Sequence, residues 1–234
     1  MTDYAVLEKS LNDTLQLTRR PVAVAFRDTP PAGVDQFHGT QPSGCSYWAI
    51  AAAGRTFYTV PSDHYNCPIG SYTHNIPLPA GREIELTNML GLMNELGYIR
   101  MEDVPSVPRL ERTPSITIYA PLGDTPVVPD VVVITGSPAG LMLLHEAAGR
   151  TGRPALPMLG RPTCMAIPAA LSHGLASSLG CVGNRVYTAI PDDEFYTVAR
   201  GSDLEQLMHE LATVTAANVA LAEYHRERRS ALAS

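Results

Sequence analysis

Four cysteines, Cys45, Cys67, Cys164 and Cys181, are the residues of this chain best suited to chemistry. Cys67 sits in Asp63-His-Tyr-Asn-Cys-Pro-Ile-Gly70 and Cys181 in Gly180-Cys-Val-Gly-Asn-Arg185, both polar turns that carry glycine. Cys164 closes Arg161-Pro-Thr-Cys164, just ahead of a helical stretch. Cys45 follows Ser43-Gly44 at the start of a helix, where the positive helix end is expected to lower the thiol pKa and favour thiolate. Free cysteine also packs as a small hydrophobe, so four unrelated core residues are the plain alternative. The polar turns around at least three of them argue against it. Structural zinc takes ligands in close C-x₂₋₄-C pairs, and neither such a pair nor a CxxC redox motif occurs. An iron–sulfur cluster tolerates more dispersed thiolates, and the Cys67-Pro68 step is one found in ferredoxin-type binding runs. The expectation is that all four cysteines converge on one cluster, [4Fe–4S] by ligand count.

The polar neighbours of these cysteines suggest a use for such a centre. Arg185 could fork onto a carboxylate or similar anion. His64 could exchange protons near neutral pH, as an ordinary imidazole does. These two are the expected catalytic residues, with Asn66, His74 and Asn184 expected to bind a small anionic ligand. The reaction classes that fit are an iron–sulfur-dependent lyase or oxidoreductase. Two other readings stay open: a zinc- or ligand-binding regulatory protein, and a metal-free thiol enzyme with Cys45 or Cys181 as nucleophile and His64, His74 or His173 as base. No G-x-S-x-G nucleophile elbow is present. Structural roles compete at each polar position, with Arg185 pairing to Asp192 or Glu194 and the histidines holding their loop.

The elements that must position these residues follow from periodicity. Residues 3–18 place Tyr4, Leu7, Leu11, Leu15 and Leu17 roughly on one helical face, and Val22-Ala-Val-Ala-Phe26 reads as a buried strand. Ser46 to Ala53 reads as helix, Phe57 to Val60 as extended, and 61–79 as a polar, turn-rich, site-bearing loop. Leu86 to Leu96 reads as helix and 101–114 as a proline-bearing connector. Ser115–Tyr119 and Val131–Ile134 read as strands, the second turning through Gly136-Ser137 into a helix that opens at Pro138 and ends near Gly149. Residues 203–229 form a long helix with Leu204, Leu207, Leu211 and Val214 inward. Each half also offers a cysteine opening an Ala-rich segment, a glycine nine or ten residues on (Gly54, Gly174), and a second cysteine by a glycine turn. The fold expected is α/β or α+β: one compact domain over 1–234, with two similar halves at about 20–100 and 115–200 and small sheets covered by helices.

Composition removes several function classes. The 234 residues are 45% hydrophobic and 17% charged, enough apolar material for a core. A formal charge of -6 opposes a nucleic-acid coat. Lys9 is the only lysine, which nearly removes Schiff-base chemistry. No GxGxxG or Walker pattern points to a nucleotide. The most apolar region, Val127 to Ala148, is broken by Pro129, Asp130, Pro138, His145 and Glu146, so no membrane span is expected. The opening residues lack an apolar signal core, and the expected location is the cytoplasm, where thiols stay reduced.

These segments together resemble a known group. Cys45-Ser-Tyr-Trp-Ala through Gly54-Arg-Thr-Phe-Tyr58, Asp63 to Gly70, Tyr119-Ala-Pro-Leu122, Pro129-Asp-Val-Val-Val133, Pro162-Thr-Cys164, Ser178 to Arg185 and Asp192-Asp-Glu194 are similar to domain-of-unknown-function family 169. The resemblance runs from about Pro21 to about Leu211. It implies that Cys45, Cys67, Cys164 and Cys181 are one set, because cysteines recur at those positions in the family. It implies no particular reaction.

Overall fold

The computed structural model describes residues 2–152 and 160–233. Helix α1 (Tyr4–Leu15) starts where the Asp3 carboxylate accepts the backbone N–H of Ala5 and Val6, both at 3.1 Å. Strand β1 (Val22–Arg27) follows, then α2 (Gly44–Ala52), β2 (Phe57–Thr59), α3 (Pro68–Thr73) and α4 (Glu83–Glu95). After β3 (Ile116–Pro121) come β4 (Val131–Gly136), α5 (Pro138–Arg150), α6 (Ala166–His173), β5 (Leu175–Ser178), α7 (Val182–Thr188), β6 (Phe195–Arg200) and α8 (Leu204–Leu232).

The strands of the described residues form one sheet in the order β2-β3-β1-β4-β6-β5, with every neighbouring pair antiparallel. The small sheets expected from the sequence are therefore a single one. The order is the same read from either edge once β1, β2 and β3 are matched to β4, β5 and β6. Each set of three has its first strand at the centre and its second at the edge. Strand β3 thus belongs with β1 and β2, rather than opening the second half as its place after the connector suggests. The two sets meet where Val22, Ala23 and Val24 of β1 pair with Val133, Val132 and Val131 of β4.

Alternation along the strands divides the core into two layers. Val22, Val24, Val131 and Val133 face one side, where Tyr47 and Trp48 of α2 and Ile167 and Ala170 of α6 cover them. Ala23, Val132 and Ile134 face the other, under Leu11 and Leu15 of α1, Leu141 and Leu144 of α5, and Leu207 and Leu211 of α8. Beyond Asn218, α8 outruns this layer and exposes Val219, Leu221 and Tyr224. All four cysteines lie in elements on the α2–α6 side.

Several elements depart from the sequence reading. The polar stretch 61–79 is not all loop, because it holds a 3₁₀ turn (Pro61–His64) and α3. Polar residues survive inside because they bond the backbone: Ser71 Oγ donates to the His64 carbonyl at 3.0 Å and Thr73 Oγ1 to that of Gly70 at 3.0 Å. Strand β5 (Leu-Ala-Ser-Ser), only four residues long, and the short α7 lack periodicity long enough to register. β6 carries strand-forming residues but is visible as a strand only through its pairing with β4 and β5.

Two glycines hold backbone to backbone. A Cβ on Gly140 of α5 would stand 2.5 Å from the Leu15 carbonyl oxygen, and one on Gly201 would land on that of Pro129. Gly91, in the middle of α4, has no atom within 4 Å of such a Cβ. Gly140→Ala and Gly201→Ala should therefore each destabilise by about 1–3 kcal/mol in urea unfolding, the usual range for overpacking. Gly91→Ala should stabilise by up to about 1 kcal/mol, from helix propensity alone. Equal effects at the three positions would contradict this packing.

Candidate functional site

Each cysteine stands in the opening turn of a short helical element. Cys45 is in the first turn of α2, whose N-cap Ser43 accepts the Ser46 N–H at 3.3 Å. Cys67 is the N-cap of α3, its Sγ accepting the Gly70 N–H at 3.3 Å. Cys164 lies in the 3₁₀ turn Thr163–Met165 that leads into α6, and Cys181 is the N-cap of α7. Two of these turns are tied directly, because Thr163 Oγ1 accepts the Cys181 N–H at 2.6 Å. Gly70 is required here: a Cβ on it would come within 2.9 Å of Cys67 Sγ. The Cys-Pro-x-Gly spacing is thus a steric necessity of how α3 caps on sulfur.

All four cysteines line one cavity of about 570 Å³ and all are free thiols. Electrostatic interaction links every pairing of the four sulfurs. Burial pushes the Cys45 thiol well above its usual range, with the neighbouring Cys67 and Cys181 raising it further and the Asn184 amide offsetting part of the rise. Burial likewise raises Cys164 and Cys67, the latter eased by the backbone N–H groups of Gly44 and Gly70. The expected depression at Cys45 is therefore corrected. The helix end favours thiolate, but removal from water and the other sulfurs outweigh it. Among the described residues, no group of three or more His, Cys, Asp or Glu side chains is placed to hold a single metal ion.

The remaining walls are mostly apolar. Leu86, Met89, Leu90 and Met93 of α4 line the cavity at helical spacing, together with Ile69 of α3 and Val182 of α7. No residue of α4 is buried, so this face covers the cavity and not a core. The helix is fastened near its ends: Arg82 Nη2 donates to the Tyr65 carbonyl at 3.2 Å, and Tyr98 Oη accepts the Val182 N–H at 3.3 Å. Arg161, also on the wall, stacks its guanidinium over the Tyr98 ring, 3.7 Å from the centroid.

Comparison with family models returns a match to DUF169, described as an uncharacterised ArCR group, over residues 10–210. The chain belongs to the DUF169 family. Comparison with curated proteins and with solved structures found no match. The matched span takes in the whole sheet and all four cysteines of this DUF169 chain, together with α2, α3, α4, α6 and α7.

The structure of this DUF169 member separates the expected polar residues. Asn66 and Asn184 line the cavity; Asn66 is exposed at its rim, and Asn184 is buried with Nδ2 donating to Tyr196 Oη at 3.3 Å. The Asn184 Oδ1 is buried without a hydrogen-bond partner. His64 and His74 are not among the lining residues. His64 is buried, with Nε2 bonded to Thr59 Oγ1 at 2.8 Å, and His74 Nδ1 donates to the Gly70 carbonyl at 3.0 Å. Burial lowers His64 to about 3, helped by the nearby His74, and lowers His74 to about 4. Both are neutral at pH 7, so proton exchange near neutrality is not available to them.

Arg185 is also placed otherwise than expected. Its guanidinium donates to the carbonyls of Leu179 (2.5 Å), Glu194 (3.0 Å) and Pro191 (3.1 Å), with Asp192 at 3.7 Å, and it does not line the cavity. It closes the loop around α7. The arginines on the cavity wall are Arg100, which is held by Asp103, and Arg161. The sequence signal of Arg161 was proximity to Cys164, three residues on, and that of the α4 face was its spacing, which a core helix shares.

The histidines give a test of this packing. An unfolded chain titrates them near the ordinary 6.5, while the folded chain holds them neutral down to about 4 and 3. Below pH 6.5 the unfolded state binds more protons, so stability falls as pH falls. The limiting slope is about 1.4 kcal/mol per pH unit for each histidine. Urea unfolding should show this loss between pH 6.5 and 5, and the two imidazole NMR signals should not titrate in the folded protein between pH 8 and 5. Titration near 6.5 would contradict their burial.

Proposed function

We propose that this chain is an iron–sulfur protein in which Cys45, Cys67, Cys164 and Cys181 hold one cluster, and that it acts on a small anionic molecule bound in the adjoining cavity. The observation that supports it best is that the chain's four cysteines, far apart in sequence, all line one cavity. Four thiolates are the ligand set of a [4Fe–4S] centre. Such a cluster takes its ligands at its corners, around the bulk of its own iron and sulfide, and so asks for a wider set than a single ion does. When bound by all four thiolates, it would supply one-electron transfer, the chemistry behind the oxidoreductase reading; the Lewis-acidic iron of the lyase reading would need one corner of the cluster free of thiolate. A thiol set kept reduced suits a reducing compartment such as the cytoplasm.

The chain's own residues define the rest. The raised thiol pKa values mean that Cys45, Cys67 and Cys164 are protonated before loading, so cluster binding releases protons and weakens as pH falls. The N–H groups of Gly44 and Gly70 directed at Cys67 would stabilise its thiolate and raise the potential of anything bound there. Asn66, Asn184 and Arg161 are among the polar groups on the wall and are the ones offered to an anionic ligand.

Anaerobic purification followed by iron and sulfide determination tests this reading. Wild-type protein should be brown, with inorganic sulfide matching iron. Alanine at any one of the four positions should lower bound iron severalfold while leaving the circular dichroism unchanged, because Cys45 and Cys164 occupy little volume. Four single variants with full iron, or a wild type that takes up none after reconstitution with iron and sulfide, would overturn it.

A further inference from the structure

The wall of the cavity away from the sulfurs is built for something other than a metal centre. Leu86, Met89, Leu90 and Met93 present a continuous apolar face, yet α4 buries none of its residues against protein. An apolar face that covers space instead of a core is stable only when something fills that space. Methionine is the adaptable choice for a wall that must fit a flexible guest. Gly91 in the middle of α4 lacks any contact that would require glycine, and it lowers the helix's intrinsic stability. The helix is therefore a strap, pinned at Arg82 and Tyr98 and soft between them.

Two cations reach this cavity, and they differ. Arg100 is committed to Asp103 through two hydrogen bonds of 2.8 and 2.9 Å, which also neutralises that carboxylate on the wall. Arg161 holds its guanidinium over the Tyr98 ring, and among the described residues no carboxylate pairs with it. A stacked guanidinium keeps its edge N–H groups free and fixed in plane, ready for a bidentate acceptor. One unpaired cation among apolar walls matches one negative charge; a dianionic phosphate would be left half-compensated.

We propose that the cavity binds a monocarboxylate with an aliphatic body, its carboxylate forked on Arg161 and its chain laid along the Leu86–Met93 face of α4. This rests on the proposed reading of the same site and names its substrate class. A volume of about 570 Å³ is of the size that encloses small organic ligands.

Calorimetric titration of anaerobically prepared protein with octanoate, 1-octanol and acetate tests it, with iron and sulfide measured on the same samples. Octanoate should bind at least about tenfold more tightly than either acetate, which lacks the chain, or 1-octanol, which lacks the charge. Arg161→Gln should weaken octanoate by about tenfold and leave 1-octanol unchanged. Met93→Asp, at a half-buried position of the strap, should weaken both. Octanoate binding no tighter than acetate, or unchanged in Arg161→Gln, overturns the inference even if iron is fully loaded. Octanoate binding with this pattern in protein that takes up no iron upholds the inference while the cluster reading fails.

Discussion

Val22, Ala23 and Val24 of β1 pair antiparallel with Val133, Val132 and Val131 of β4, and this short seam joins two three-stranded halves into one sheet. An antiparallel pair is related by a local two-fold turn, so whatever each half carries above its sheet face is brought to the same side and set head to head. In the first half that is α2 and α3, and in the second the Cys164 turn and α7. Across the seam α2 packs on α7, and α3 on the Thr163–Met165 turn. Each half then contributes two of the four cysteines that line the cavity. The interior valines of the seam are fully or almost fully buried, which keeps its register from slipping by a residue.

The same convergence is costly for the sulfurs. Burial disfavours the thiolates of Cys45, Cys67 and Cys164, the neighbouring sulfurs add to this, and together they outweigh the backbone N–H groups and the Asn184 amide that would stabilise charge. Without a cation Cys45, Cys67 and Cys164 stay protonated. A positively charged inorganic centre reverses that balance, because it replaces the protons and makes the mutual closeness of the thiolates favourable. The neighbouring histidines follow the same logic in the opposite sense: burial favours their neutral forms, so they support the loop by hydrogen bonds and leave the cavity to the asparagines and Arg161.

The sequence made the cysteine set legible because polar glycine turns and helix starts are unusual places for core cysteines, and all four do line one cavity. The long amphipathic segments were legible too, through Leu11 and Leu15 in α1 and Leu204 to Val214 in α8. The polar residues of the site were only half legible. Asn66 and Asn184 reach the cavity, but His64, His74 and Arg185 are drawn into hydrogen bonds with partners that no spacing rule reveals: the Thr59 hydroxyl, the Gly70 carbonyl and the carbonyls of the loop 179–194. Arg161 was hidden because its role depends on Tyr98, which is 63 residues earlier in the chain and reaches it only through the path of α4. Strand β5 became visible through its pairing and not through its composition, whereas β6 does carry β-branched and aromatic residues.

The central claim is that the four thiols share one inorganic centre. Mössbauer spectroscopy of protein reconstituted anaerobically with isotopically enriched iron and sulfide addresses it most directly. Nearly all the iron should give the quadrupole doublet of tetrahedral sulfur-ligated iron in a single diamagnetic [4Fe–4S] cluster, with the four cysteines protected from alkylation in the same sample. High-spin ferrous iron in oxygen and nitrogen coordination, with all four cysteines still open to alkylation, would contradict it.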